Sequence, residues 1–264
     1  MPVNPVGLIK KEAGNVSEAL PLIKIAAHRI AATIMQGVHG RRRVGPGDSF
    51  WQFRQYQKGD PITRIDWKQT ARRTHAFIRE NEWEIAQSVW IWVDRSKSME
   101  FSSETGIPEK SLRAAILAFA LCLLLVRGGE RVTLFGSGIK PRSDRAGLEQ
   151  MASFLAQAPL GNEKTIPTGD GLPRHAQIIL ISDFLQPITE IEASIRGLAS
   201  QGFRGHLLQV HDPSEQDFPF TGRVQFDGME GEGSMVIGRS ENVRSEFNRL
   251  MAEHCRVITD IALA

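Results

Sequence analysis

The sequence predicts an α/β layered domain with a mostly parallel central sheet, and three observations lead to it. From residue 88 onward, short apolar runs of strand length alternate with stretches of helical periodicity. One run, Gln177–Ile181, is apolar at every position after its first, the pattern of a strand covered on both faces. With 264 residues, 41% of them hydrophobic and 23% charged, the chain has material for a real core, which excludes wholesale disorder.

The elements follow in chain order. Residues 1–40 read as a helical lead-in, because Leu20, Ile23, Ala27, Ile30 and Ile34 share helical spacing after a Ser17 cap. Residues 41–87 read as a small basic, β-rich subdomain. Ten basic residues face four acidic ones between positions 41 and 80, so this stretch carries +6 in a chain whose net charge is +2. Gly45-Pro-Gly and Gly59-Asp-Pro break any long helix there, and alternation around Trp51–Phe53 and Ala76–Ile85 predicts short strands. In residues 88–264, strands are predicted at Val89–Val93, Arg131–Phe135, Gln177–Ile181 and His206–Val210, and helices at about 110–127, 145–157, 188–200 and 240–253. Arg223–Phe226 and Ser234–Ile237 flank Asp227-Gly228 and Gly231-Glu-Gly, which predicts a hairpin insertion near the C-terminus.

Several function classes are disfavoured. A net charge of +2 gives no whole-chain attraction to nucleic acid or anionic membrane. Cys122 and Cys255 are too few for a disulfide framework or a structural zinc site. The longest apolar run, Ala114–Val126, lies between Arg113 and Arg127 and falls short of the roughly 20 residues that cross a bilayer, so it reads as a buried helix. Lys10, Lys11 and Glu12 interrupt the only candidate secretion leader. No membrane span and a cytoplasmic location are therefore expected.

The chemistry is expected where the first strand of the α/β domain ends, at Val93-Asp-Arg-Ser-Lys-Ser-Met99. Ligands of open α/β sheets bind outside the carboxyl ends of strands. Asp94, Ser96 and Ser98 place three oxygen donors at a spacing of two, a set suited to a hard cation such as Mg2+. The third strand ends similarly, at Ile181-Ser-Asp183. Asp and Ser also follow strands merely to form turns and caps. The buried strand end, Met99 and the long apolar helix beyond it weigh toward a ligand site.

With these residues in view, the strand, the Asp-x-Ser-x-Ser-Met sequence and the helix resemble the von Willebrand factor A fold and its metal-ion-dependent adhesion site. Further motifs are Gly45-Pro-Gly-Asp-Ser-Phe, Arg54-Gln-Tyr-Gln-Lys-Gly-Asp-Pro, Arg64-Ile-Asp-Trp-Lys, Thr70-Ala-Arg-Arg and Ile78-Arg-Glu, together with the stretch from His211-Asp-Pro to Gly222. They resemble the bacterial family called domain of unknown function 58, over roughly residues 37–264. The resemblance implies a Rossmann-like A-type domain with Asp94, Ser96 and Ser98 as the first metal loop and Asp183 as the strand-end carboxylate. It also implies a threonine ligand, for which Thr165 is in the expected place and Thr168 is the alternative. Pro167, Gly169, Gly171 and Pro173 leave no room for the helix usual there. The implied cofactor is Mg2+ or Mn2+, completed by an acidic residue of a protein partner. That partner is implied to be a MoxR-type AAA+ ATPase, in chaperone-like complex maturation. A family chain is also expected to continue beyond Asp260.

The motifs give little support to an enzyme. None of the seven histidines lies in a metalloprotease motif, and no Gly-x-Ser-x-Gly turn or phosphate-binding Gly-rich loop is present. His211 is the best catalytic candidate, with a hydrogen-bonded structural role the expectation. A metal-dependent phosphohydrolase using Asp94 would lack a second carboxylate at position 96. Nucleic-acid binding through residues 41–80 is the rival reading, since Phe50, Trp51, Phe53, Tyr56 and Trp67 interleave with cations. Asp60 and Asp66 are placed to pair with those cations, and a non-enzymatic adaptor is the reading preferred.

Overall fold

The computed structural model describes residues 16–38, 50–57, 65–71, 75–81, 88–104, 106–157, 166–173, 176–229, 231 and 233–264. The chain divides into two units, Met1–Val38 with Gln87–Ala264, and His39–Ala86. Helix α1 (Val16–Val38) belongs to the first; it already includes Val16, so Ser17 lies within it rather than capping it.

In the second unit, β1 (Phe50–Gln55) pairs antiparallel with β2 (Phe77–Asn81), in a register running from Gln52 opposite Glu80 to Gln55 opposite Phe77. Between them α2 (Trp67–Thr70) makes a single turn. The turn is fastened to β2 by two bonds: the Asp66 N–H donates to the Phe77 carbonyl at 2.9 Å, and the Phe77 N–H to Thr70 Oγ1 at 3.0 Å. Trp67 is 65% exposed and contributes little to a core. Positions 41–49, 58–64 and 72–74, which hold most of the basic residues, lie outside the described residues.

The first unit is built on β3 (Ser88–Val93), β4 (Arg131–Leu134), β5 (Gln177–Ser182) and β6 (Arg204–Gln209), all parallel and ordered β4-β3-β5-β6. Crossovers run through α3 (Lys110–Arg127), α4 (Arg145–Ala156) and α5 (Ile188–Ser200). Alternate strand residues divide between two cores. Val89, Ile91, Ile179 and Ile181 pack with α3 and α4, and α1 joins them through Ile23, Ala27 and Ala31. Trp92, Ile178 and Leu180 pack on the other face with Ile191 and Leu198 of α5. β5 is thus buried on both sides, as its apolar run predicts. Ile91 and Ile181, both at 0% exposure, each stabilise the sheet by about 1.5–3 kcal/mol.

The run Ala114–Val126 is the body of α3, with Ala114, Ala118 and Cys122 fully buried. Among the described residues no helix is long and apolar enough to cross a membrane. Helix α3 stops at Gly128 and Gly129; the latter adopts φ 90°, a conformation open to glycine, and carbonyls of the last turn are met by the N–H groups of Gly128, Gly129 and Glu130. Glycine is also required at Gly205 of β6, where a Cβ would lie 1.7 Å from the Ile178 carbonyl oxygen of β5.

Beyond β6 come α6 (Pro213–Asp217), the hairpin β7 (Val224–Asp227) and β8 (Ser234–Ile237), and α7 (Arg244–Leu263). The short α6 is not anticipated by sequence periodicity. The last helix runs well past the predicted end at 253, because Ile258, 2% exposed, anchors it in the second core.

Candidate functional site

The topology fixes where a ligand can sit. From β3 the chain crosses over α3 to β4 on one side, while from β5 it crosses over α5 to β6 on the other. The connections of the adjacent strands β3 and β5 therefore diverge, which opens a crevice at their carboxyl ends. Asp94 follows β3 directly and Asp183 follows β5 directly. The Asp94 N–H extends the ladder to the Ile181 carbonyl at 2.8 Å, and the Val210 N–H reaches the Ser182 carbonyl at 2.9 Å, so both strand ends are held.

Asp94 is 1% exposed, and among the described residues every donor that reaches it is neutral. Its Oδ1 accepts from the Ser96 N–H at 2.8 Å, and its Oδ2 from the Ser182 hydroxyl at 2.6 Å and from Gln186 Nε2 at 3.3 Å. Burial pushes its pKa above the usual carboxylate value, against the lowering effect of the Ser182 and Ser96 bonds, and the Asp183 charge adds to the rise. Ser96 is the N-cap of the 3-10 turn Lys97–Glu100, yet its side chain makes no capping bond. Its hydroxyl instead lies 3.1 Å from the Ser98 hydroxyl. Fully buried Met99 anchors this turn. Arg95 is turned to α4, donating to the Phe154 carbonyl at 2.9 Å with its guanidinium 4.2 Å from the ring centre. It helps line a cleft of about 330 Å3 beside the loop, with Val93, Phe135, Phe154 and Pro167.

Asp183 is equally buried but differently compensated. Lys110 Nζ donates to its Oδ2 at 2.9 Å and to Glu215 Oε1 at 2.5 Å, and the Leu185 N–H meets its Oδ1 at 3.2 Å. The next residue, Phe184, is forced to φ 51° and is fully buried. Such a backbone costs of order 1–3 kcal/mol. It is held by the Phe184 N–H on Ser182 Oγ at 2.9 Å and by a 2.6 Å contact between its carbonyl oxygen and His254 Nε2.

The structure therefore brings together Asp94, Ser96 and Ser98, with Asp183 on the neighbouring strand end. Thr165 lies outside the described residues. Thr168 is exposed and donates to Asp170 at 2.7 Å; none of its bonds reaches Asp94 or Asp183. His211 Nδ1 is buried with no hydrogen-bond partner among the described residues.

The donor set fits a hard divalent cation. It offers a buried carboxylate with no cationic partner among the described residues, two hydroxyls and the buried Gln186 Oε1, which has no hydrogen-bond partner among those residues. No cluster of three or more His, Cys, Asp or Glu side chains able to hold a metal occurs among the described residues.

The family model described as "Protein of unknown function DUF58" matches residues 52–257. The chain belongs to the DUF58 family. Uncharacterised proteins of Mycobacterium tuberculosis and Mycobacterium bovis are 27% identical to it over 268 residues, covering 96% of this chain and 83% of theirs. Two solved structures are similar at 18% identity: an aerotolerance-related membrane protein from Bacteroides fragilis, with a TM-score of 0.37 over 66% of this chain and 99% of that one, and the conserved hypothetical protein BatB from Bacteroides thetaiotaomicron, with 0.33 over 67% and 100%.

Sequence reasoning misses three residues at this DUF58 site: Lys110, Gln186 and Glu215. Glu215 had a legible signal, since Asp212-Pro-Ser-Glu215 spells an N-cap, a proline at the first helical position and a capping-box partner. The other two are joined to the site by contacts across 73 and 92 positions of sequence.

Proposed function

We propose that this DUF58 chain is a non-enzymatic, cytoplasmic adaptor whose von Willebrand factor A-type domain binds a protein partner through a Mg2+ or Mn2+ ion at the end of β3. The observation that carries the reading is Asp94, a buried carboxylate met, among the described residues, only by neutral donors at the sheet's switch point. A buried charge without a counter-charge is costly, and an ion placed against it removes the cost. Asp94, Ser96 and Ser98 would hold the ion, with Asp183 adding negative field. When bound, the ion supplies a coordination position for a carboxylate oxygen of the partner.

The chain's own groups favour recognition over turnover. Arg95 is held on Phe154, and Asp183 is bound to Lys110, so neither is placed as a general base. The MoxR-type AAA+ ATPase as partner follows from the family resemblance. The test is association of the purified chain with such an ATPase, with and without EDTA. Binding is expected in Mg2+ and lost in EDTA or in Asp94→Ala. Binding indifferent to both treatments contradicts the reading, and phosphate-ester turnover abolished by Asp94→Ala replaces it with a metal-dependent phosphohydrolase.

A further inference from the structure

Lys110 stands where stability alone would not place it. It is the first residue of α3, where the helix dipole disfavours a cation, and its side chain is only 3% exposed. A buried ammonium persists only when paired and fully hydrogen-bonded. Here Nζ is bound by Asp183 and Glu215 and lies 5.8 Å from the centre of the Phe101 ring. Glu215 is itself fixed, for its other oxygen accepts the Asp212 N–H at 2.9 Å. Asp212 in turn accepts from the Ser103 N–H at 3.0 Å, which ties the loop after the serine turn to α6. The ammonium is thus pinned between the ends of β5, α3 and α6.

Two buried carboxylates lie at the switch point, and among the described residues only Asp183 is paired with a cation. We infer that Lys110 is the resident counter-cation of this site. It keeps Asp183 from coordinating a divalent ion directly, and it lowers the site's affinity so that the ion is held firmly only once a partner's carboxylate has joined its shell. The inference rests on the reading of Asp94, Ser96 and Ser98 as a cation site. Without Lys110 the same ion would face Asp94 beside an unpaired Asp183, and a second negative charge at short range in a buried site attracts it more strongly. Lys110 is a positioning residue that acts through Asp183.

The experiment is a calorimetric titration of Mn2+ alone into the full chain as wild type, Lys110→Met, Glu215→Gln and Asp94→Ala. Lys110→Met keeps an unbranched side chain of similar length and removes the charge. It is expected to bind Mn2+ at least about tenfold more tightly than wild type, and to gain a larger rise in Tm on adding Mn2+. Glu215→Gln keeps Lys110 on Asp183 and removes one negative charge, so its affinity is expected to fall severalfold; it carries the test alone if Lys110→Met does not fold. Affinity in Lys110→Met equal to or below wild type, or a tighter Glu215→Gln, overturns the inference while Asp94-dependent binding leaves the cation site standing. Absence of binding in every form, or binding that survives Asp94→Ala, overturns the cation site and the inference with it.

Discussion

The Ser182 hydroxyl donates to Asp94 Oδ2 at 2.6 Å and, at the same oxygen, accepts the Phe184 N–H at 2.9 Å. One side chain at the end of β5 thus satisfies the carboxylate at the end of β3 and braces the strained residue that follows Asp183. Ser182→Ala removes both bonds and leaves a buried carboxylate oxygen short of a donor. The expected loss is about 2–3 kcal/mol, read as a lower denaturant midpoint at unchanged slope. A midpoint within experimental error of wild type removes this brace from the account.

Asp94 is expected to lower stability when no cation is present. Its pKa is raised, chiefly by burial. A raised carboxyl contributes stability below its unfolded value and loses that contribution as pH rises through the folded value. At pH 7 in EDTA, Asp94→Asn, which stays neutral and still offers an acceptor to Ser182, is expected to show a higher Tm than wild type. Saturating Mg2+ is expected to narrow or reverse the difference. A lower Tm for Asp94→Asn in EDTA contradicts an uncompensated carboxylate.

His211 gives a pH dependence of opposite sign. Burial lowers its pKa, while the Glu215 charge pulls it back up and the Lys110 charge pushes it down. A histidine with a depressed folded pKa contributes stability above its unfolded value, about 6.5, and that stability is lost as pH falls through the folded value. Stability measured from pH 7 to 5 is expected to decline less in His211→Gln than in wild type. Parallel declines place the acid sensitivity elsewhere.

Gly205→Ala tests the sheet itself. With 1.7 Å between the added Cβ and the Ile178 carbonyl oxygen, β5 and β6 must part. A destabilisation of about 3 kcal/mol is expected, at the upper end for overpacking. Unfolding monitored by circular dichroism checks it, and a change below about 0.5 kcal/mol contradicts the close approach.

Much of this architecture is legible in the sequence because it is local. The unbroken run Ile178–Ile181 announces a strand covered on both faces, and Ala114–Val126 announces a buried helix. Asp94, Ser96 and Ser98 are legible because a strand ends immediately before them and the spacing of two is short. Lys110 is not, since a lysine at the start of a helix ordinarily reads as solvated, and only the fold brings it to Asp183. Helix α6 escapes because five residues show no period, although its capping box was spelled out. The left-handed Phe184 carries no sequence signal, being set by bonds to Ser182 and His254.

Whether Asp94 holds a cation is decided by the binding isotherm of Mn2+ with the wild-type chain beside that of Asp94→Asn. Wild type is expected to show saturable one-site binding that is competed by Mg2+ and absent from Asp94→Asn, a variant that keeps the bond from Ser182 but not the charge. Identical heats in the two proteins would contradict it.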